Sequence, residues 1–200
     1  MFNYSGLPLT DSPCGSLWNG GNGMQTLEDQ MSFYAAYHQD TRNKLSHFIG
    51  VPAIVLGVMI FLGWVRIPLG GIEVSGATLI TIVVLAYYLR LDVPLGIAMC
   101  FVFGGLLYAA ESIVALPLKE GATWFFVLFA GGWVAQLLGH VFEGRKPALV
   151  DNLFQIFVAP IFLCAEVFFL LGYKPALHAT VQQRALRMRM EAGVTQARTA

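Results

Sequence analysis

Charge is what this 200-residue chain has least of. Asp, Glu, Lys and Arg together make up 12% of it, about half the usual quarter of a soluble domain. The twelve basic and twelve acidic residues cancel, so no net field recommends the chain to nucleic acid. Cysteine is scarce as well. Cys14, Cys100 and Cys164 are scattered and lack CxxC spacing, and their odd number argues against a disulfide framework. Two of them fall inside apolar runs and read as small buried hydrophobes. No internal repeat is visible. Residues 1–27 have no basic stretch leading into an apolar one, so they do not read as a signal peptide. They are rich in Gly, Ser, Asn and Pro, as in GSLWNGGNG, and are expected to form a disordered N-terminal tail.

What the chain has in quantity is apolar surface, at 56% hydrophobic residues. Five apolar segments run from Phe48 to Val65, Val74 to Leu91, Pro94 to Leu116, Ala122 to Leu138 and Leu153 to Tyr173. Each approaches or exceeds the roughly 18–20 residues that cross a hydrocarbon core as a helix. Lipid forbids unpaired backbone, and the alternation of a barrel is missing, so helices are the reading. Trp64, Trp124, Tyr87, Tyr88 and Tyr173 lie near segment ends, as interfacial anchors do. Ahead of them, Thr26 with Glu28 and Asp29 predicts the start of an interfacial helix. The expected fold is all-α: a polytopic transmembrane helix bundle of four to five membrane segments. Residues 28–175 form its domain, and 176–200 form a basic C-terminal tail.

Orientation follows from the basic residues only in part. If the first four segments all span, the N-terminal region and the loop after the fourth share a side carrying Arg42, Lys44, Arg90, Arg145 and Lys146, which suits the cytoplasmic face. A fifth span would put the basic tail opposite. The fifth segment, interrupted by Pro160 and carrying Glu166, is therefore a candidate re-entrant segment. In either case His38, His47 and His140 fall on one membrane face.

The polar residues concentrate in two stretches, YHQDTRNKLSHFIGVP from Tyr37 and QLLGHVFEGRKPALVDN from Gln136. Imidazole is the commonest metal ligand among side chains, and two histidines with a carboxylate favour non-haem iron with open positions. Gln136, His140 and Glu143 share one helical stripe, because offsets of three, four and seven residues stack. That spacing serves equally for a metal stripe and for a polar helix end wetted by headgroups. His38 and His47 lie about 180° apart on a continuous helix. A shared metal therefore predicts a bend around Gln39–Lys44, or one of the pair outside the first ring of ligands. Asn43 and His47, four apart, share a face. His178 reads as solvent-exposed. Asp92, Glu111 and Glu166 sit in or beside apolar segments, where ionisable groups are costly, and are expected to be paired or functional.

The two motifs together, YHxxxxNxxxHxxGVP and QxxGHxFEGRKPALVDN, resemble the small membrane 2-hydroxy fatty acid dioxygenases of the fungal phytosphingosine-catabolism type. The resemblance covers roughly residues 30–175, including the intervening apolar segments and Glu166. It implies Fe(II)-dependent α-oxidation, in which a long-chain 2-hydroxy fatty acid and dioxygen give a fatty acid one carbon shorter plus carbon dioxide. It implies iron ligands at His38, His47 and His140, with Glu143 as a further ligand or supporting base. Asn43, Gln136, Asp151 and Asn152 are candidates to orient the imidazoles. Arg145 and Lys146 are candidates for the substrate carboxylate, or else topology anchors. The expected location is an integral membrane, cytoplasmic in a bacterium or endoplasmic reticulum in a eukaryote. Two other readings remain: a membrane zinc hydrolase of lipid amides with similar His and acidic ligands, and a non-enzymatic transporter using Glu111 and Glu166. A di-iron desaturase is disfavoured, since that class clusters about eight histidines and this chain has four.

Overall fold

The computed structural model describes residues 26–143 and 155–199. Among them are seven helices and one β-hairpin. Thr26 caps helix α1 (Leu27–Tyr37), its hydroxyl accepting from the Asp29 N–H while the Asp29 carboxylate accepts from the Thr26 N–H. This reciprocal box satisfies two of the donors that a helix start leaves open. Helix α1 stops at Tyr37. His38 and Gln39 turn the chain, and Asp40 caps α2 (Thr41–Gly63) by accepting from the Arg42 N–H. The bend expected around Gln39–Lys44 therefore falls at residues 38–40.

Helix α2 packs antiparallel against α5 (Leu118–Glu143) through small residues. A Cβ on Gly50 would lie 2.8 Å from the Gly132 carbonyl oxygen, and one on Gly132 would lie 2.9 Å from the Gly50 carbonyl oxygen. Without side chains at this crossing the two backbones approach closely, which is how helices associate where no hydrophobic force separates protein from solvent. The close approach carries the N-terminal end of α2 onto the C-terminal end of α5.

The all-α bundle expected from the sequence is what the described residues form, with one short addition at the other end of α2. Strands β1 (Arg66–Leu69) and β2 (Ile72–Ser75) pair antiparallel around Gly70 and Gly71, with φ of 57° and 98°. Two successive positive φ values are what a tight hairpin turn demands, and glycine supplies them without strain. The second apolar segment consequently begins its helix, α3 (Gly76–Leu91), after β2 rather than at Val74.

Asp92 ends α3 and caps α4 (Val93–Val114), accepting from the Leu95 N–H. It also pairs with Lys174. Glu111 pairs with Arg66 at 2.8 Å and Glu166 with Lys44 at 3.0 Å, so all three costly carboxylates have cations beside them. Helix α6 (Gln155–Leu170) contributes Val158, Ile161, Phe162 and Ala165 to the core, each at or near zero exposure. Tyr88 is a core residue rather than an interfacial anchor. It is fully buried and donates its hydroxyl proton to the Phe157 carbonyl at 2.7 Å.

The segment expected as a basic tail is helix α7 (Pro175–Thr199). It docks on α1, burying Val181 and Ala185, while Arg184 reaches Glu28 at 2.8 Å and Asp29 at 2.9 Å. His178 is half-buried and stacks on Phe169 with ring centroids 4.6 Å apart, instead of lying free in solvent.

Among the described residues three helices, α2, α4 and α5, are long and apolar enough to cross a membrane. Helices α3 and α6, at 16 residues each, reach about 24 Å, short of a core of about 30 Å. The outer surface is apolar, with Phe101, Tyr108, Phe126 and Val141 among the most exposed side chains. Soluble monomers rarely present such continuous apolar surface; lipid-facing bundles do.

Candidate metal centre

The break at residues 38–40 rotates His38 out of the path of α1 and aims it at α2. His38 and His47 are each 2% exposed and His140 is 7% exposed. One ligand nitrogen from each lies within 4.8 Å of the others. His38 Nδ1 lies 2.7 Å from the Tyr34 carbonyl oxygen and His47 Nδ1 lies 2.8 Å from the Asn43 carbonyl oxygen. Both partners are four residues back. A carbonyl only accepts, so both Nδ1 atoms carry the proton, and both Nε2 atoms present lone pairs. Those two Nε2 atoms are 3.1 Å apart.

Two lone pairs facing each other at that distance repel unless a cation lies between them. A proton is disfavoured. Burial holds His38 well below the usual imidazole range, and the neighbouring His47 lowers it further. A metal ion fits. Nitrogens ligating one ion at about 2.0–2.1 Å, at angles of 90–109°, stand about 2.9–3.4 Å apart. The third imidazole agrees with this. His140 Nδ1 is buried with no hydrogen-bond partner, and its ring centroid is 5.1 Å from each of the other two. Buried polar atoms are normally satisfied, so an orphan here points to something that binds it. Three neutral imidazoles without a thiolate suit iron, zinc and several other divalent ions.

The remaining sequence candidates fall into distinct places. Glu143 points at the break rather than at the histidine nitrogens. Its Oε2 accepts from the Asp40 N–H at 2.7 Å, the Gln39 N–H at 3.0 Å and the Asn43 amide at 3.2 Å. Its Oε1 is paired with Arg189 of α7. A carboxylate at the start of α2 is favoured by the helix dipole, and here it fixes the turn that carries His38. Asn43 is fully buried; its carbonyl orients His47, and its amide ties Tyr37 and Glu143. Gln136, half-buried, rests against Gly50, one turn before His140 on the face that meets α2. Arg145, Lys146, Asp151 and Asn152 lie outside the described residues.

Sequence reasoning missed Tyr34 and Arg189, and it expected Glu166 to be paired without naming Lys44 as the partner. Tyr34 stacks on His38 with ring centroids 3.9 Å apart and an interplanar angle of 7°. Its spacing of four from His38 was a readable signal. Arg189 carried no local signal, and the choice of Lys44 for Glu166 carried none either, because the partners are far away in the chain.

Fold and site together define an all-α apolar bundle with a buried cluster of three histidines at one end. The chain belongs to the Mpo1-like family: the family model described as "2-hydroxy-palmitic acid dioxygenase Mpo1-like" matches residues 24–171. It is also similar to 2-hydroxy-palmitic acid dioxygenase MPO1 of Saccharomyces cerevisiae, 34% identical over 181 residues, covering 86% of this chain and 99% of that relative. No solved structure matches.

Proposed function

We propose that this protein is an Fe(II)-dependent dioxygenase that converts a long-chain 2-hydroxy fatty acid and O2 to a fatty acid one carbon shorter plus CO2. The reaction balances with one water as the remaining product. Oxidation of the 2-carbon to a carboxyl and release of the old carboxyl as CO2 supply the four electrons that dioxygen takes up, so no further reductant is needed. The single observation that carries the reading is the His38–His47 contact. Two acceptor nitrogens lie 3.1 Å apart, and the orphaned His140 stands beside them.

In this reading His38, His47 and His140 hold the ion. Iron, when bound, supplies the one-electron chemistry that dioxygen requires and the open coordination positions that a 2-hydroxy acid can fill. The chain's own residues do the positioning. The Tyr34 and Asn43 carbonyls fix the tautomers of His38 and His47, as partners of ligating imidazoles commonly do. Glu143, Asn43 and Gln136 keep α2 and α5 in register around the site. Arg145, Lys146 and Asn152 follow α5 in the sequence; in this reading the two cations draw the carboxylate from the interface. The bilayer-facing bundle receives the acyl chain, with the protein an integral multi-pass membrane enzyme, in the cytoplasmic membrane if bacterial or the endoplasmic reticulum if eukaryotic.

The test is reconstitution with Fe(II) under reducing, aerobic conditions with a long-chain 2-hydroxy acid. The expected result is a one-carbon-shorter acid with matching oxygen uptake, lost in His140→Ala. If instead zinc supports hydrolysis of a lipid amide without oxygen uptake, the reading is replaced by a hydrolase. If His140→Ala is tolerated while changes at Glu111 or Glu166 abolish transport of an ion, the protein is a transporter.

A further inference from the structure

Outside the histidines, one half-buried ion pair is left incompletely satisfied. Lys44 lies three residues before His47, so the two are neighbours on the surface of α2. Its ammonium is 3.0 Å from Glu166 Oε2, with side chains 21% and 13% exposed. The other oxygen, Glu166 Oε1, is buried and has no hydrogen-bond partner. Glu166 stands one turn beyond Phe162 on α6. Phe162 packs with its ring centroid 4.5 Å from that of Tyr34 and 6.4 Å from that of His38. The pair therefore sits on the same wall of the site as His38 and His47.

As a purely structural device this pair is poorly made. A carboxylate has about four lone-pair sites, and leaving one oxygen unmet in a buried place is costly. Apolar replacements of buried ion pairs are often as stable. What the pair offers is one free acceptor beside a cation with donors to spare, since an ammonium has three and the contact to Glu166 uses one. A 2-hydroxy acid carries the complement on adjacent carbons, a hydroxyl donor and a carboxylate acceptor. An unsubstituted fatty acid lacks the donor and would leave the Glu166 oxygen unpaired.

We infer that Lys44 and Glu166 are the head-group site that selects 2-hydroxy acids, Lys44 taking a carboxylate oxygen and Glu166 Oε1 accepting from the 2-hydroxyl. This rests on the substrate class proposed above. It adds a specificity element from α2 and α6 that is separate from the metal ligands.

The experiment measures equilibrium binding to the full-length, detergent-solubilised protein loaded with zinc, so that no turnover intervenes. The probes are a long-chain 2-hydroxy acid and the unsubstituted acid of the same length. The wild type is expected to prefer the 2-hydroxy acid by about 10–100-fold, the worth of a hydrogen bond to a charged partner. The double variant Lys44→Met/Glu166→Met removes both charges and avoids stranding either one. It is expected to keep the metal stoichiometry and melting behaviour while its preference falls about 10-fold, leaving only what chelation of the zinc supplies. If the double variant does not fold, the reversed pair Lys44→Glu/Glu166→Lys restores an ion pair, and its preference should fall likewise. Retention of the wild-type preference in a folded variant overturns the inference, as does a wild type that binds both acids equally. Failure of the iron-loaded wild type to shorten any 2-hydroxy acid overturns the functional reading itself, a result the binding arm does not mimic.

Discussion

At the scale of residues, the site depends on a carbon that is missing. A Cβ at Gly139 would run into the Ser46 hydroxyl and come 2.5 Å from Asn43 Oδ1. Ser46 cannot yield freely, because its hydroxyl donates to the Asn43 carbonyl at 2.7 Å, and that carbonyl also orients His47. Gly139→Ala is expected to cost about 1–3 kcal/mol through overpacking and to lower metal occupancy. Gly131→Ala, on the same helix with nothing near its Cβ, should change neither. Melting in detergent and metal stoichiometry check both; equal effects at the two glycines would contradict this account.

At the scale of elements, the decisive feature is the interruption between α1 and α2. A continuous helix would hold His38 and His47 on opposite faces. The three-residue break removes that conflict, and Glu143 stabilises it by accepting from the N–H groups of Gln39 and Asp40. Arg189 holds Glu143 from the other side and also donates to the Ala36 carbonyl at 3.2 Å. Helix α7 lies beyond the residues that the family model matches, yet it touches the turn that aims His38. Glu143→Gln and Arg189→Ala are each expected to weaken metal binding by about 10-fold, as loss of supporting partners does at metal sites. Deletion of residues 175–200 should weaken it at least as much. Titration with cobalt, followed by its visible absorption, reads the affinity directly. Unchanged titrations in all three would make α7 an accessory to stability alone.

At the scale of the whole molecule, the histidines and the hairpin occupy opposite ends of α2. His47 lies six residues into a 23-residue helix, about 9 Å from its start, whereas β1 begins just past its end. If α2 crosses the bilayer, the histidine cluster is shallow on one side, and Gly70–Gly71 face the other. In a chain whose own Cys14, Cys100 and Cys164 are replaced by Ser, Arg42→Cys and Gly71→Cys should react with a membrane-impermeant thiol reagent from opposite sides. Labelling of both from one side would remove α2 from the list of spans. The same geometry leaves most of the length of α2 and α5 on the far side of the histidines.

Much of this architecture was legible in the chain. Long apolar runs in a weakly charged sequence dictate helices, because lipid tolerates no unpaired backbone. The cap at Thr26, the shared face of Asn43 and His47, and the stripe of Gln136, His140 and Glu143 are local regularities that helical periodicity reveals. The need for a bend between His38 and His47 could also be stated beforehand, since it is arithmetic on 3.6 residues per turn. Other features were not legible. The hairpin at Gly70–Gly71 was hidden by the apolar runs on either side of it. Helix α7 read as a tail because its cations find Glu28, Asp29 and Glu143 only after the chain has folded. The sequence by itself determined that the long apolar runs are helical and which residues are able to bind a metal. Only tertiary structure decided that Glu143 clamps a turn while three imidazoles converge, because the close approach of α2 and α5 at glycine and the docking of α7 are contacts between distant parts of the chain that no local spacing encodes.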